Sequence, residues 1–460
     1  MRQRLFGTDG VRGIVNEWLT PENALRLGLA IGSYFKPSDK VLVGCDSRAG
    51  NSFLVKAVVS GLLSTGMKVF YAGLTPTPAL QLYVRDKGFD VGVMVTASHN
   101  PPEYSGLKVV MSDGIEAPRD VEESIEEIYY ELTFRRITWT ALGYDVKVVD
   151  DVNDYYVSKV LEKVDREVIS KKGLKVVIDC ANNVGSLTTP HVLRGLGVKV
   201  LTLNCDISHI PYRNPEPTPE NLVDLVSVVR SVGADLGVAH DGDADRAIFV
   251  DCIGRVLQGD RSALMLCDHI LNNKKLGIPK KVVTAVSSST VVEEVLSRYG
   301  VEVIWTRVGS INIARTMMRE GSLLGFEENG GFMYGIHQYV RDGAMATALM
   351  LEYIAYSGLT LHQLYDKLPK MYVVKTKVGV DPRDRDVVFE KLKMRLLEVF
   401  SGGRVIDVDG VKFIASDYWF LVRPSGTEPL IRIYVEARDE VLANKVLNNI
   451  LTLANEVGMK

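Results

Sequence analysis

Three aspartates at alternate positions, in Asp241-Gly-Asp-Ala-Asp-Arg246, lie between the apolar runs Leu236-Gly-Val-Ala and Ala247-Ile-Phe-Val. Carboxylates so closely spaced repel one another unless a cation bridges them, and hard divalent ions prefer such oxygen ligands. An EF-hand loop is excluded, because its sixth and twelfth positions need glycine and an acid and here hold Arg246 and Cys252. A second segment, Thr96-Ala-Ser-His-Asn-Pro-Pro, follows the apolar run Gly92-Val-Met-Val. A polar loop at the carboxyl end of a parallel strand is where open α/β sheets place ligands, so Ser98 is a candidate nucleophile. Its neighbour His99 is not expected to assist, since successive side chains on extended backbone point to opposite sides. Gly325-Phe-Glu-Glu-Asn-Gly-Gly331 gathers two carboxylates and an amide suited to sugar hydroxyls, although Asn-Gly-Gly is also an ordinary turn. Arg423-Pro-Ser-Gly-Thr-Glu-Pro429, leading to Arg432, offers guanidinium, hydroxyl and glycine-supported amide donors for a phosphate. Together the four segments describe phosphoryl transfer on a phosphorylated polyol, where positioning and charge neutralisation do most of the catalysis.

The elements that must hold these loops recur. A lysine opens a short branched apolar run at Lys40-Val-Leu-Val, Lys175-Val-Val-Ile and Lys281-Val-Val-Thr. After each come a polar loop, a helix-period stretch, a glycine (Gly66, Gly197, Gly300) and a second apolar run. Strand, helix, glycine stop and strand make a βαβ unit, which predicts α/β domains with mostly parallel sheets. The starts lie more than a hundred residues apart, too far for a solenoid. Three tandem similar α/β domains are therefore expected, over 1–150, 151–252 and 253–368. From Met371 the pattern changes to a period-two run, a helical stretch near Val387 to Phe400, shorter strands and a last amphipathic helix from Glu440. This reads as a separate α+β domain over 369–460.

Composition narrows the partners. The chain has 460 residues, 46% hydrophobic, with 54 Lys and Arg against 57 Asp and Glu for a net charge of -3, which argues against a disordered tail or a nucleic-acid coat. No run approaches the roughly 18 apolar residues of a membrane helix, and the opening residues lack a signal-peptide core. Five cysteines (Cys45, Cys180, Cys205, Cys252, Cys267) show no C-x-x-C spacing, so free thiols in a reducing, cytoplasmic setting are expected.

These motifs, with Phe6-Gly-Thr-Asp-Gly-Val-Arg-Gly13 at the start, resemble the signatures of the α-D-phosphohexomutase superfamily in the same order along the whole chain. The resemblance implies four domains around a central cleft and interconversion of hexose 6- and 1-phosphates through a hexose 1,6-bisphosphate, which also serves as activator. It implies that Ser98 is the phosphoserine and that Asp241, Asp243 and Asp245 hold Mg2+ with a phosphoserine oxygen. Arg246 and Arg12 would face the transferring phosphate, and Lys108 would serve acid/base chemistry. Glu327 and Asn329 would contact sugar hydroxyls, and Arg423, Ser425, Gly426, Thr427 and Arg432 would hold the phosphate not being transferred. Mannose and glucose phosphates are the expected substrates, with glucosamine phosphate the alternative and sugar-phosphate hydrolysis a rival reaction. Two positions depart from the pattern. Bacterial relatives end the sugar loop in histidine where this chain has Gly331, with His337 six residues on, and some carry lysine at the place of Arg307.

Overall fold

The computed structural model describes residues 4–7, 9–142, 145–273, 280–381, 383–425 and 430–459. The first sheet comprises β1 (Val11–Ile14), β2 (Lys40–Cys45), β3 (Lys68–Leu74), β4 (Val91–Val95), β5 (Tyr104–Met111) and β6 (Lys147–Val148), in the order β1-β5-β4-β2-β3-β6. Its centre is parallel and its β1 edge antiparallel. The second sheet, of β7 (Lys175–Asp179), β8 (Lys199–Leu203), β9 (Leu236–Ala239) and β10 (Ile248–Asp251), has the order β10-β9-β7-β8. The third, of β11 (Lys281–Ala285), β12 (Glu302–Thr306), β13 (Leu324–Phe326) and β14 (Phe332–Tyr334), has the order β12-β11-β13-β14. In both, the lysine-opened strand pairs parallel with two neighbours and the last strand turns back antiparallel. All three repeats are thus parallel pairs as expected, and their strands are buried on both faces because helices cover both sides.

The fourth sheet is wholly antiparallel: β15 (Tyr372–Gly379), β16 (Arg404–Ile406), β17 (Val411–Ile414), β18 (Tyr418–Pro424) and β19 (Leu430–Ala437), in the order β15-β19-β18-β17-β16. The helices Arg385–Val399 and Glu440–Glu456 close its apolar face into a separate core. The helix Gly343–Ser357 packs against helices flanking the second and third sheets and against β14. Its sequence AMATALMLEYIA is apolar on every side and buried accordingly, Asp342 caps its start by accepting from the Met345 amide at 2.9 Å, and Gly358 ends it in the left-handed region at φ 72°. No helix among the described residues is long and apolar enough to cross a membrane.

One expectation fails in the second sheet. Cys180 and Cys205 form a disulfide rather than two free thiols. They follow β7 and β8, whose parallel register sets Asp179 beside Leu203 and brings the two Cα atoms to 4.8 Å. The neighbourhood is made by strand pairing and leaves no trace in the cysteine spacing.

Candidate active site

Ser98 sits just past β4, fully buried, with φ 49°. Its loop is shaped by Arg48, which donates to the carbonyls of Ser98, Asn100 (2.7 Å), Pro101 (2.8 Å) and Tyr104 (3.0 Å) and is itself held by Asp46 at 3.2 Å. Asp46 also accepts from Thr96 Oγ1 at 2.6 Å, and Thr96 Oγ1 accepts from the Ser98 amide at 2.9 Å. The left-handed turn at Ser98 corrects the expectation about His99. Because the backbone is not extended there, His99 Nδ1 lies 3.3 Å from Ser98 Oγ, and Nδ1 accepts from Arg246 Nη2 at 2.9 Å. Burial, with Arg246 and Arg12 close by, holds the imidazole neutral, well below its usual range.

Ser98 Oγ donates to Asp241 Oδ2 at 2.7 Å, which brings the first sheet's loop onto the acidic loop between β9 and β10. The approach is backbone to backbone, and a Cβ at Gly242 would stand 2.5 Å from the Ser98 carbonyl oxygen, so only glycine fits. Asp241, Asp243 and Asp245 are buried, and each offers a carboxylate oxygen within 4.8 Å of the others, the one such group of three among the described residues. Asp243 Oδ1 and Asp245 Oδ1 are buried without a hydrogen-bond partner. Burial, reinforced by the neighbouring carboxylates, pushes Asp241 well above the ordinary range and Asp245 upward as well. Orphaned oxygens and strained ionisation are what a resident divalent cation relieves, so the donor set fits one.

Cations of the protein surround this loop. Lys108 Nζ, on β5, lies 3.0 Å from Asp243 and 3.2 Å from Asp9. Burial alone would depress its ammonium, but Asp243, Asp9 and Asp245 outweigh that and hold the proton more tightly than usual. Arg12, on β1, donates to Asp9 at 2.9 Å and to Asn100 Oδ1. Arg246 stands 3.7 Å from Asp241 and 3.8 Å from Asp245. Thr77 Oγ1 donates to Asp243 at 2.6 Å.

Sequence reasoning passed over Arg341, which links three loops. Its Nη2 donates to Asp245 and, at 3.2 Å, to Asp9, while Nη1 donates to Glu327 at 2.9 Å. Glu327 also accepts from the Gly309 amide (3.1 Å) and Asn329 Nδ2 (3.3 Å), so the sugar loop is tied to the acidic loop through one guanidinium. This settles the departure at Gly331. A Cβ there would lie 2.3 Å from Arg341 Cδ, so Arg341 runs through the space a larger residue would need. His337 does not substitute, being buried 3.4 Å from Asp342, the cap of the central helix. Arg307 is exposed, donates to the Val408 carbonyl at 3.1 Å and lines a cleft of about 350 Å3 with Arg119, Asn312 and Arg315. Its guanidinium can hold an anion but cannot act as a base.

In the fourth sheet Arg423 on β18 lies directly across from Arg432 on β19, and Asp409 Oδ2 holds Arg423 Nη2 at 2.9 Å. Arg385 donates to the Ser425 carbonyl at 3.1 Å. Gly426 and Thr427 lie outside the described residues.

Comparison with known proteins defines the class. Residues 3–136, 154–254 and 258–372 match alpha/beta/alpha domains I, II and III of phosphoglucomutase/phosphomannomutase, and residues 378–453 match its C-terminal domain. A phosphoglucosamine/phosphogalactosamine mutase of Sulfurisphaera tokodaii is 52% identical, covering 97% of this chain and 98% of that protein. A phosphoglucomutase/phosphomannomutase of Thermococcus kodakarensis is 41% identical, covering 98% and 99%. The crystal structure of a phosphoglucomutase/phosphomannomutase family protein from Burkholderia thailandensis shares the fold with a TM-score of 0.87, at 24% identity and covering 99% of this chain and 98% of that one. The chain belongs to the phosphoglucomutase/phosphomannomutase family of the α-D-phosphohexomutase superfamily. It is a phosphohexomutase.

Proposed function

We propose that the protein interconverts hexose 6-phosphates and hexose 1-phosphates by passing a phosphoryl group between Ser98 Oγ and the sugar through a hexose 1,6-bisphosphate. The observation that carries this reading is the contact of Ser98 Oγ with Asp241 across two domains, within a largely buried cluster of acidic and basic side chains. Asp241, Asp243 and Asp245 would hold Mg2+, which supplies charge neutralisation at the transferring phosphoryl oxygens. Arg12 and Arg246 add fixed positive charge beside Ser98. In the first transfer the phosphoryl leaves Ser98 Oγ for a sugar hydroxyl oxygen and that hydroxyl's proton passes to Ser98 Oγ; in the second the phosphoryl at the other end of the bisphosphate returns to Ser98 Oγ and the proton moves back to the sugar oxygen. Lys108 is assigned to that proton; ion-paired with Asp243, Asp9 and Asp245 it already carries its own, so it could act as the base only once a cation held by the aspartates had relieved that pairing. Glu327 and Asn329 are assigned to sugar hydroxyls, with Arg341 orienting the Glu327 carboxylate. Arg423, Ser425, Gly426, Thr427 and Arg432 are assigned to the distal phosphate. In this reading the domains 1–150, 151–252, 253–368 and 369–460 each contribute one of the four loops.

Glucosamine phosphate stands first among the sugars, supported by the 52% identical phosphoglucosamine/phosphogalactosamine mutase. Glucose and mannose phosphates stand beside it, supported by the 41% identical phosphoglucomutase/phosphomannomutase. Measuring kcat/KM on glucosamine, glucose and mannose 1-phosphates ranks them, and negligible turnover of all three would overturn the reading.

A further inference from the structure

Lys412, on β17, is a fully buried lysine at the seam between the third and fourth sheets. Its Nζ lies 3.9 Å from the centroid of the Trp305 ring on β12 and 4.1 Å from that of Trp419 on β18. It donates to the Val286 carbonyl at 2.9 Å and to the Ser288 carbonyl, both just past β11. Behind it Glu436 on β19 accepts from Arg261 at 2.7 Å, from Ser289 Oγ and from Trp419 Nε1, so the seam is pinned by polar bonds from both sides as well as by apolar packing. A buried amine with two carbonyl acceptors and two aromatic faces is costly to move, because leaving any partner strands it without water.

The seam also bears on the site. The segment that begins at Trp305 continues as Thr306, Arg307, Val308 and Gly309. Arg307 donates to the Val408 carbonyl, and the Val308 amide donates to Asp409 at 3.2 Å, the same Asp409 oxygen that holds Arg423. The Gly309 amide donates to Glu327. One short segment therefore touches Lys412 at one end, reaches the arginine of the phosphate hairpin through Asp409 in its middle and touches the sugar-loop carboxylate at the other end. We propose that Lys412 is a positioning residue that, by gripping Trp305 and the strand end at Val286 and Ser288, sets the separation between the sugar-binding loop and the phosphate-binding hairpin. The inference rests on the assignment of Glu327 and Arg423 to opposite ends of the substrate.

Lys412→Met keeps the bulk of the side chain and removes the donors. Two measurements on the full-length protein read the result. The expected outcome is a rise of about tenfold in KM for hexose 1-phosphate with kcat within about threefold, together with amide exchange at Val308 faster by tenfold or more and exchange at the Asp46 to Asn51 segment unchanged. Unchanged exchange at Val308, or a fall in kcat with KM untouched, would overturn the proposal. Should Lys412→Met fail to fold, Asp409→Asn leaves the seam intact and removes the charge from the link between Val308 and Arg423. Because an asparagine oxygen could still accept both bonds, Asp409→Ala is made beside it to remove the shared oxygen; the alanine variant is expected to give the same KM-weighted loss, and an unaltered KM there would equally overturn the proposal. If the unmodified protein turns over none of the three sugar phosphates, the functional reading fails while the Val308 exchange still decides whether Lys412 fixes the seam.

Discussion

The two ends of the site are built differently. At the Ser98 end, a buried loop is held by four carbonyl bonds from Arg48, an acidic loop is pressed against it at Gly242, and Arg341 ties in a third segment. At the Arg423 end, a hairpin reaches the rest of the site through Asp409 and the Trp305 to Gly309 segment. Group transfer tolerates little misplacement, which suits the first construction. An intermediate whose two phosphates must exchange places needs a holder that recognises either one, which suits a hairpin on its own domain.

Breaking the first end should cost most. Arg341→Gln leaves Asp9, Asp245 and Glu327 without their shared counter-charge in a buried setting, and a loss of about 3–5 kcal/mol is expected in denaturant unfolding. Arg48→Gln should leave the fold standing but release the Ser98 loop, lowering kcat by about a hundredfold with KM little changed. At the second end, Arg423→Gln should act in the opposite sense, raising KM about tenfold with a smaller change in kcat. A further effect concerns pH. Burial lowers the Lys412 amine to about 7, against the pull of Glu436, Glu293, Asp260 and Glu328. An unfolded lysine keeps its proton to about pH 10, so between about pH 7 and 10 the unfolded chain binds more protons and stability rises with pH. Below about pH 7 this contribution is flat. The slope should appear as a pH-dependent difference in unfolding free energy between the unmodified protein and Lys412→Met, and a difference that is constant across that window would contradict it.

What could be read from the sequence follows from how local each feature is. Asp241, Asp243 and Asp245 were visible because this acidic loop, which could hold a metal ion, packs its carboxylates into one short segment, and the parallel pairs because each strand opens with lysine and carries its own apolar run. The pairing of Cys180 with Cys205 depends on two strands lying side by side, which the spacing of cysteines does not encode. The proximity of His99 to Ser98 was missed because the alternation rule assumes extended backbone, and Ser98 departs from it. Arg341 was missed because its partners Asp245 and Asp9 are 96 and 332 residues away in the chain. Its hint lay in a charged pair, Arg341 and Asp342, set directly before the most apolar helix, where burial demands partners.

The proposed reaction requires that Ser98 Oγ carry the phosphoryl group and pass it to the sugar. The direct measurement is a single turnover: protein phosphorylated by hexose 1,6-bisphosphate is mapped by peptide mass, then mixed with hexose monophosphate. An added phosphate on Ser98 that disappears as hexose bisphosphate forms is expected, with no such species in Ser98→Ala. Phosphate on another residue, or its release as inorganic phosphate without bisphosphate, would contradict it.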